Sequence, residues 1–233
     1  MIRKKKIKIY GDGLTFQEIK KYYKFYDGFT FNPSLFKNLK IKNYLEGCKK
    51  IVNVCKNKPV SLEVFADDEK EMIRQAKVLN SLGKNIYVKI PIVFTNGKST
   101  IKVLRKLFKL KIKLNITAIF TKSQISKILK YVNGKKVILS VFAGRIYDSG
   151  KNASLIVRDI NNYVHKKSFC KILWASTRMP YDIIESQNIG CDIITIPNSI
   201  LLKTKNFGKS QLKYSQETVK MFHEDAKKSK YKL

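Results

Sequence analysis

Short apolar runs alternate along this chain with longer, lysine-rich segments of helical spacing, and this alternation restricts the possible folds more than any other feature. The short runs are rich in β-branched residues and predict eight strands, over residues 7–12, 28–32, 60–66, 86–93, 114–120, 136–144, 170–176 and 192–197. The segments between them predict helices over residues 15–26, 40–56, 68–82, 98–111, 122–132, 153–166 and 179–188, and a last amphipathic segment covers 215–227.

Apolar strands that alternate with helices are typical of a parallel sheet covered by helices. Eight such units favour a closed barrel, and 233 residues is near the roughly 250 that one barrel needs. No shift in composition marks a boundary, so we predict a single (β/α)₈ TIM barrel domain over residues 1–233 with an additional C-terminal helix at 215–227. Thr15 followed by Glu18 predicts a capping box, and Asp67 or Asp68 is expected to open the helix after strand 3.

An open, doubly wound sheet is the competing architecture. It usually carries a glycine-rich first turn that binds a dinucleotide, but Gly11-Asp12-Gly13 lacks the third glycine of that pattern. Residues 96–100 (NGKST) are similar to the end of a phosphate-binding P-loop, yet Ile92 stands where the leading glycine belongs. Neither nucleotide-binding motif is complete.

The formal net charge of +31 raises the question of a polyanionic partner. Only six of the 48 basic residues are arginine, which binds phosphates and bases bidentately, and the lysines are spread along the whole chain. We therefore do not expect nucleic acid as the main partner. A basic barrel that binds nucleic acid or another polyanion stays open as the non-enzymatic alternative, and phosphorylated substrates would suit the charge equally well.

The sequence carries no signal for a membrane or a metal. No apolar segment follows the basic N-terminus and no run approaches 18 apolar residues, so we expect a cytoplasmic protein without a membrane partner. The cysteines form no C-x-x-C pair and lie far in sequence from either histidine; they are Cys48, Cys55, Cys170 and Cys191. We expect buried free thiols, no metal site and no cofactor.

Several predicted strands contain charged residues that packing alone does not explain. Lys89 lies between Val88 and Ile90 in strand 4, and if those two pack against helices, the alternation of a strand points Lys89 into the barrel. By the same alternation Glu63 in strand 3 and Asp12 at the end of strand 1 face the interior. A buried ammonium is costly unless it is paired or loses its proton. The structural alternatives are a lysine that reaches water and an aspartate that only serves a turn.

The ends of later strands add hydroxyl, amide and guanidinium groups. Asn115 and Thr117 share one face of strand 5; Ser140, Phe142 and Gly144 share one face of strand 6, which Arg145 follows; Ser176 and Arg178 close strand 7. In a (β/α)₈ barrel the carboxyl ends of the strands meet at one mouth. A lysine that can lose its proton, beside carboxylates and anion-binding arginines, favours imine chemistry on a phosphorylated carbonyl compound.

Four stretches resemble one known family, in the same order and with similar spacing. They are residues 27–35 (DGFTFNPSL), 88–91 (VKIP), 142–146 (FAGRI) and 175–178 (ASTR). The first stretch resembles a strand-2 signature ending in T-x-N-P-S, and VKIP is similar to a Schiff-base lysine motif. On these stretches the chain resembles the transaldolases and the small fructose-6-phosphate aldolases, which are class I aldolase barrels, over essentially its whole length.

The resemblance implies a role for each of these residues. Lys89 would form an imine with the donor ketose, and Asp12 would take and return the proton of the C4 hydroxyl. Glu63, with Thr117, would move protons as the imine forms. Five residues would line the site or hold the dihydroxyacetone part: Thr30, Asn32, Asn115, Ser140 and Phe142. The sugar phosphate would be bound by Arg145, Ser176 and Arg178.

Two positions choose within the family. Glu63 and Phe142 are similar to the transferase pattern, whereas the aldolase branch resembles Gln and Tyr there, which favours transfer, as in the pentose phosphate pathway, over simple cleavage. Gly13 and Phe31 depart from the threonines that are usual in the family, so a specialised sugar stays open as substrate. The resemblance and the apolar residues of 215–227 suggest a homo-oligomer, and the alternative is a helix that caps its own barrel.

Overall fold

Eight parallel strands close into one barrel in the computed structural model, which describes residues 6–37, 41 and 43–231. The strands are β1 (Lys8–Asp12), β2 (Gly28–Thr30), β3 (Val60–Glu63), β4 (Ile86–Pro91), β5 (Leu114–Ile119), β6 (Val137–Val141), β7 (Lys171–Trp174) and β8 (Ile193–Ile196). Each strand pairs with the next one in sequence, and β8 pairs with β1 to close the ring. The predicted (β/α)₈ barrel is confirmed, while the domain limits of 1 and 233 stay a prediction because they lie outside the described residues.

Helices follow the strands and form the outer wall. They are α1 (Phe16–Tyr22), α2 (Pro33–Lys37), α3 (Tyr44–Cys55), α4 (Glu69–Asn80), α5 (Ile101–Lys109), α6 (Lys122–Leu129), α7 (Ala143–Asp148), α8 (Ala153–Lys167), α9 (Tyr181–Ile189), α10 (Asn198–Lys203) and α11 (Gln211–Ser229). Thr15 and Glu18 form the predicted capping box of α1. Asp68, and not Asp67, caps α4 by accepting a hydrogen bond from the backbone N–H of Glu71.

The predicted and observed elements differ mainly at the carboxyl ends of the strands. Strand β6 ends at Val141 and not at residue 144, because the chain turns into helix α7 at Ala143. The short helices α2 and α10 follow β2 and β8 closely, and the apolar pattern did not predict them. The predicted strands at 60–66 and 86–93 also end early, at Glu63 and Pro91. These differences all lie at the carboxyl end of the barrel, where the chain leaves the sheet and forms the mouth.

Two apolar layers fill the protein. The larger one lies between strands and helices and takes outward-facing strand residues such as Leu62, Val88 and Ile90, which are fully buried. The smaller one lies inside the barrel and consists of Tyr10, Ile138, Leu173, Ala175 and Ile193. Toward the carboxyl ends of the strands the buried inward-facing positions are polar, for example Thr30, Lys89 and Asn115. The apolar floor therefore closes the barrel below a polar chamber.

Helix α11 makes little contact with the barrel. None of its 19 residues is buried, and Val219, Met221 and Phe222 are exposed. A helix that caps its own barrel would bury such residues, so the structure does not support that alternative.

The cysteines are buried free thiols, as predicted. No cluster of three or more His, Cys, Asp or Glu side chains that could hold a metal ion occurs among the described residues. None of the described helices is long and apolar enough to cross a membrane.

Charge is distributed unevenly around the outer wall. Residues 72–147 contain no Asp or Glu, and they include helices α5 and α6. Helix α5 exposes Lys102, Arg105, Lys106 and Lys109. At the start of α6, Lys122 pairs with Asp159 of α8 at 2.7 Å. This sector of the wall, α5 with α6, is strongly cationic.

Candidate active site

A cavity of about 290 Å³ opens at the carboxyl end of the barrel strands. It is lined by every predicted site residue except Glu63, namely Asp12, Thr30, Asn32, Lys89, Asn115, Thr117, Ser140, Phe142, Arg145, Ser176 and Arg178. Glu63 lies beside the cavity in contact with Lys89. Closure of the barrel is what brings residues from distant parts of the chain to one mouth.

Lys89 projects into this cavity from strand β4. Its neighbours Val88 and Ile90 are fully buried in the outer apolar layer, so the predicted alternation is confirmed. Lys89 Nζ lies 3.0 Å from Glu63 Oε2, because β3 and β4 place the two residues side by side. Only 7% of the lysine side chain is exposed, which excludes a lysine that reaches bulk water.

Asp12 ends strand β1 and faces the same cavity. Its Oδ1 accepts a 2.6 Å hydrogen bond from the Thr30 hydroxyl, which is its neighbour in the register of β1 and β2. Burial raises the pKa of Asp12 above the ordinary aspartate value, although the charge of Lys89 and the Thr30 hydrogen bond act in the opposite direction. A carboxyl group in this setting is suited to accept a proton and to return it.

Asn115 is fixed by hydrogen bonds at both ends of its amide. Its Nδ2 donates to Ser61 Oγ at 3.0 Å, and its Oδ1 accepts from Ser140 Oγ at 2.6 Å. Thr117, two residues further along β5, has a buried hydroxyl with no hydrogen-bond partner among the described residues. A buried polar group without a partner costs about 1–3 kcal/mol. A bound molecule that forms a hydrogen bond with this hydroxyl would recover part of that cost.

Two arginines stand at the mouth, and both are exposed. Arg178 Nε donates to Asp148 Oδ1 at 3.1 Å, and a second N–H of the same guanidinium donates to Asp148 Oδ2. This hydrogen bonding to Arg178 holds the pKa of Asp148 below its ordinary value. Arg145 lies 6.0 Å from the centre of the Phe142 ring. Two guanidinium groups facing one carboxylate leave the mouth positive, which suits a phosphate.

The segment that carries Ser176 and Arg178 has an unusual conformation. Ser176 has a φ of +63°, in the left-handed region that residues other than glycine rarely adopt. Its carbonyl oxygen packs against Gly144, where an added Cβ would lie only 1.6 Å from it. Buried Asp182 accepts hydrogen bonds from the backbone N–H groups of Arg178 at 2.7 Å and Met179 at 3.2 Å. The segment is thus fixed from two sides.

One predicted face is wrong. The alternation in the sequence places Ser140, Phe142 and Gly144 on one face of strand 6, but that strand ends at Val141. Phe142 precedes helix α7, and Gly144 lies in its first turn. Phe142 is half-buried and still lines the cavity, because the turn into α7 leads the chain along the mouth.

The cavity also contains residues that were not predicted from the sequence: Leu35, Leu173, Ala175, Thr177, Thr195 and Pro197. Thr195 carried a signal, since Ile194 and Ile196 beside it are outer-layer residues and the alternation therefore turns Thr195 inward. Leu35 lies on helix α2, which no pattern predicted. Asp148 and Asp182, which hold the segment of Arg178, carried no comparable signal.

The chain is similar to known proteins over most of its length. A profile of the family described as Transaldolase/Fructose-6-phosphate aldolase matches residues 9–233. A protein named "Probable transaldolase" from Sulfurihydrogenibium sp. (strain YO3AOP1) is 36% identical over 178 residues, which cover 76% of this chain and 78% of that protein. Another of the same name, from Nitrosopumilus maritimus (strain SCM1), is 33% identical over 203 residues, which cover 84% and 86%.

Solved structures agree with the fold at low sequence identity. A Sinorhizobium meliloti protein proposed to be an isomerase superposes with a TM-score of 0.61 at 12% identity, over 87% of this chain. The chain spans 55% of that protein's length. Thiamine phosphate pyrophosphorylase from Pyrococcus furiosus gives a TM-score of 0.56 at 10% identity, over 83% of this chain and 86% of that one. At such identities the likeness shows the fold alone.

Proposed function

Since this chain belongs to the transaldolase/fructose-6-phosphate aldolase family, we propose that it is a cytoplasmic transaldolase. It transfers a dihydroxyacetone unit from a ketose phosphate to an aldose phosphate, as in the pentose phosphate pathway, through a Schiff base on Lys89. The observation that carries the proposal is the buried amine of Lys89, 3.0 Å from Glu63, in a cavity that also contains Asp12 and two arginines.

The first stage makes the imine. Lys89 Nζ attacks the C2 carbonyl of a donor such as sedoheptulose 7-phosphate or fructose 6-phosphate, and the carbinolamine that forms loses water. Each of these steps moves a proton. Glu63 is within hydrogen-bond distance of the amine, and the Thr117 hydroxyl, which has no partner among the described residues, is available to the departing oxygen.

The second stage breaks and remakes a carbon–carbon bond. Asp12 takes the proton of the C4 hydroxyl, the C3–C4 bond breaks, and its electron pair moves into the imine to give an enamine. An aldose leaves, the enamine attacks the aldehyde of an acceptor, and Asp12 returns the proton. Hydrolysis of the new imine frees Lys89. The raised pKa of Asp12 supports this role, because a general base works best when its pKa approaches the operating pH.

The remaining residues of the cavity bind and orient the sugar. Thr30, Asn32, Asn115 and Ser140 offer hydroxyl and amide groups to the three-carbon unit, and the two hydrogen bonds of Asn115 fix its orientation in advance. Arg145, Ser176 and Arg178 at the mouth bind the phosphate.

Simple cleavage by a fructose-6-phosphate aldolase, or by a relative that acts on another sugar, is the second candidate, since the family includes both activities. Phe142 supports transfer. It lines the cavity without a hydroxyl that could protonate the three-carbon carbanion, so the enamine persists until an acceptor arrives.

The proposal is tested by borohydride reduction in the presence of fructose 6-phosphate, followed by peptide mass spectrometry. We expect a reduced three-carbon adduct on the peptide that contains Lys89, and no adduct in Lys89→Ala. Lys113→Ala is a matched control, because Lys113 lies outside the cavity and should leave the adduct unchanged. Absence of an adduct with a panel of ketose phosphates would refute the proposal.

Product analysis separates transfer from cleavage. With an aldose phosphate acceptor, a transaldolase converts the donor into a new ketose phosphate. Without an acceptor, it releases about one aldose per site and then stops, whereas an aldolase continues and accumulates dihydroxyacetone.

Helix α11 supports a homo-oligomer as part of this proposal. It has no buried residue in one chain, and its exposed Val219, Met221 and Phe222 would gain burial against a second copy. We expect light scattering to give a mass of more than one chain, and Phe222→Glu to reduce it. A monomeric wild type would contradict this part of the proposal.

A further inference from the structure

Three polar side chains form a continuous chain across strand β1 at the inner end of the cavity. Thr195 on β8 and Thr30 on β2 flank β1, and their hydroxyl oxygens lie 2.6 Å apart. Thr30 Oγ1 also lies 2.6 Å from Asp12 Oδ1. The two threonines are only 4% and 3% exposed, so water does not compete for these hydrogen bonds.

The number of available hydrogens determines which group donates in each of these hydrogen bonds. A threonine hydroxyl has one hydrogen to donate, and an ionised carboxylate has none. Thr30 therefore uses its hydrogen for Asp12, and the bond between the two hydroxyls requires the hydrogen of Thr195. Both donors point toward the carboxylate. The hydrogen bond that Thr195 donates polarises the Thr30 hydroxyl. It thereby strengthens the hydrogen bond from Thr30 to Asp12 by about 10–30%.

The barrel itself does not need the Thr195 hydroxyl. Its neighbours along β8 are apolar, and the backbone of β8 is held by its ladder with β1 and by the Thr177 hydroxyl, which donates to the Thr195 carbonyl at 3.2 Å. Valine has nearly the same shape and would fill the same space. Packing therefore does not account for the hydroxyl group.

On the basis of the proposed function, in which Asp12 exchanges the proton of the C4 hydroxyl, we propose that Thr195 is a positioning residue for Asp12. By donating to Thr30, it directs the Thr30 hydrogen toward the Asp12 carboxylate and so fixes the orientation of the Asp12 side chain. Loss of the Thr195 hydroxyl removes the donor that polarises the Thr30 hydroxyl, so the hydrogen bond from Thr30 to Asp12 weakens and the ionised form of Asp12 is less favoured.

Other charges act on Asp12 as well, and they stay constant in the test. Lys89 on β4 favours the ionised form and is itself paired with Glu63 on β3. Arg145 and Arg178 line the same cavity nearer the mouth. Removing the Thr195 hydroxyl leaves all four groups in place. A change in the titration of Asp12 therefore reports on the hydroxyl chain.

The first experiment follows the carboxyl carbon of Asp12 by ¹³C NMR as a function of pH, with Asp12→Asn to assign the signal. We expect Thr195→Val to titrate at higher pH than wild type and Thr195→Ser to titrate with wild type, because serine retains the hydroxyl. Thr195→Ala serves as the second hydroxyl-free variant if the valine variant does not fold. A hydroxyl-free variant that titrates like wild type would overturn the proposal.

The second experiment measures the reaction in the same variants. General acid–base catalysis contributes about 10²–10⁴-fold, and a misoriented base keeps part of it, so we expect kcat to fall about 10-fold in Thr195→Val with KM nearly unchanged. Serine should restore kcat. Borohydride trapping with dihydroxyacetone should be unaffected, since that imine forms without breaking a carbon–carbon bond. Wild-type kcat in Thr195→Val would also overturn the proposal.

The two experiments distinguish a failure of the proposed function from a failure of the proposed role of Thr195. If wild type traps no donor and turns none over, the proposed function fails, while the titration of Asp12 still decides whether Thr195 acts on it. If wild type is active and the titration does not move, the function stands and the role of Thr195 falls.

Discussion

Replacing Gly144 with alanine tests how the mouth of the barrel is assembled. An added Cβ would lie 1.6 Å from the backbone oxygen of Ser176 and 3.2 Å from Arg178 Cγ. Real Cβ atoms essentially never approach such an atom within 3.0 Å, so helix α7 and the segment after β7 must separate by more than 1 Å. Both contacts belong to residues that line the cavity. The substitution therefore affects stability and the site together.

Two opposing effects determine how much Gly144→Ala changes the free energy of unfolding. Overpacking a tight contact costs about 1–3 kcal/mol. Alanine regains about 0.5–1 kcal/mol, because Gly144 lies in a helix and does not have a positive φ. We expect a net loss of about 1 kcal/mol, which lowers Tm by roughly 2–4 °C in a chain of this size. Displacement of Arg178 by about 1 Å should lower kcat/KM for phosphorylated donors by at least about 10-fold.

Calorimetry and donor kinetics check this prediction, with Gly134→Ala as the control. At Gly134 the new Cβ would meet only the Phe108 ring at 3.2 Å, and a side chain can adjust where a backbone oxygen cannot. That variant should keep wild-type kinetics and nearly wild-type Tm. If Gly144→Ala melts and turns over like wild type, the close approach of α7 to Ser176 does not build the mouth, and the reasoning is refuted.

Three further substitutions have defined outcomes. Asp12→Asn should raise Tm at pH 7, and the gain should shrink as pH falls in melts between pH 4 and 8, because a carboxyl whose pKa is raised by folding destabilises the wild type as pH rises through that raised value. Thr117→Val should leave Tm unchanged or higher, since it removes a buried hydroxyl without a partner among the described residues, yet slow the rate of borohydride trapping by about 10-fold. Ser176→Gly should raise the free energy of unfolding by up to about 1 kcal/mol by relieving its left-handed backbone, as measured by denaturant titration, while KM for phosphorylated donors increases.

The charged centre of the site could be predicted from the sequence because strands have a strict period of two. Once Val88 and Ile90 are assigned to the outer layer, the Lys89 side chain must point into the barrel, and the same reasoning applies to Glu63. Parallel register then places the two residues side by side on neighbouring strands. Charged residues in apolar strands are also conspicuous, since burial costs them most.

The supporting residues could not be predicted in this way. A threonine in an apolar strand is ordinary, since β-branched residues favour strands, so the alternation that turned Thr195 inward did not mark it as functional. Its contact with Thr30 depends on the closure of β8 onto β1, which brings together residues from opposite ends of the chain. Asp148 lies in a short helix after β6, where the chain no longer follows either periodicity. Local patterns contain no information about such contacts.

The cationic sector formed by α5 and α6 gives the molecule an asymmetric charge distribution. Carboxylates occur before residue 72 and after residue 147, so the centre of positive charge is displaced toward this side of the wall. A particle with such a dipole turns its charged side to an anionic surface as it approaches. Because α5 and α6 lie on the side of the barrel and the mouth lies at its end, adsorption through this sector would leave the cavity open to substrate. Immobilisation on a cation-exchange matrix would therefore orient the protein with its active face accessible.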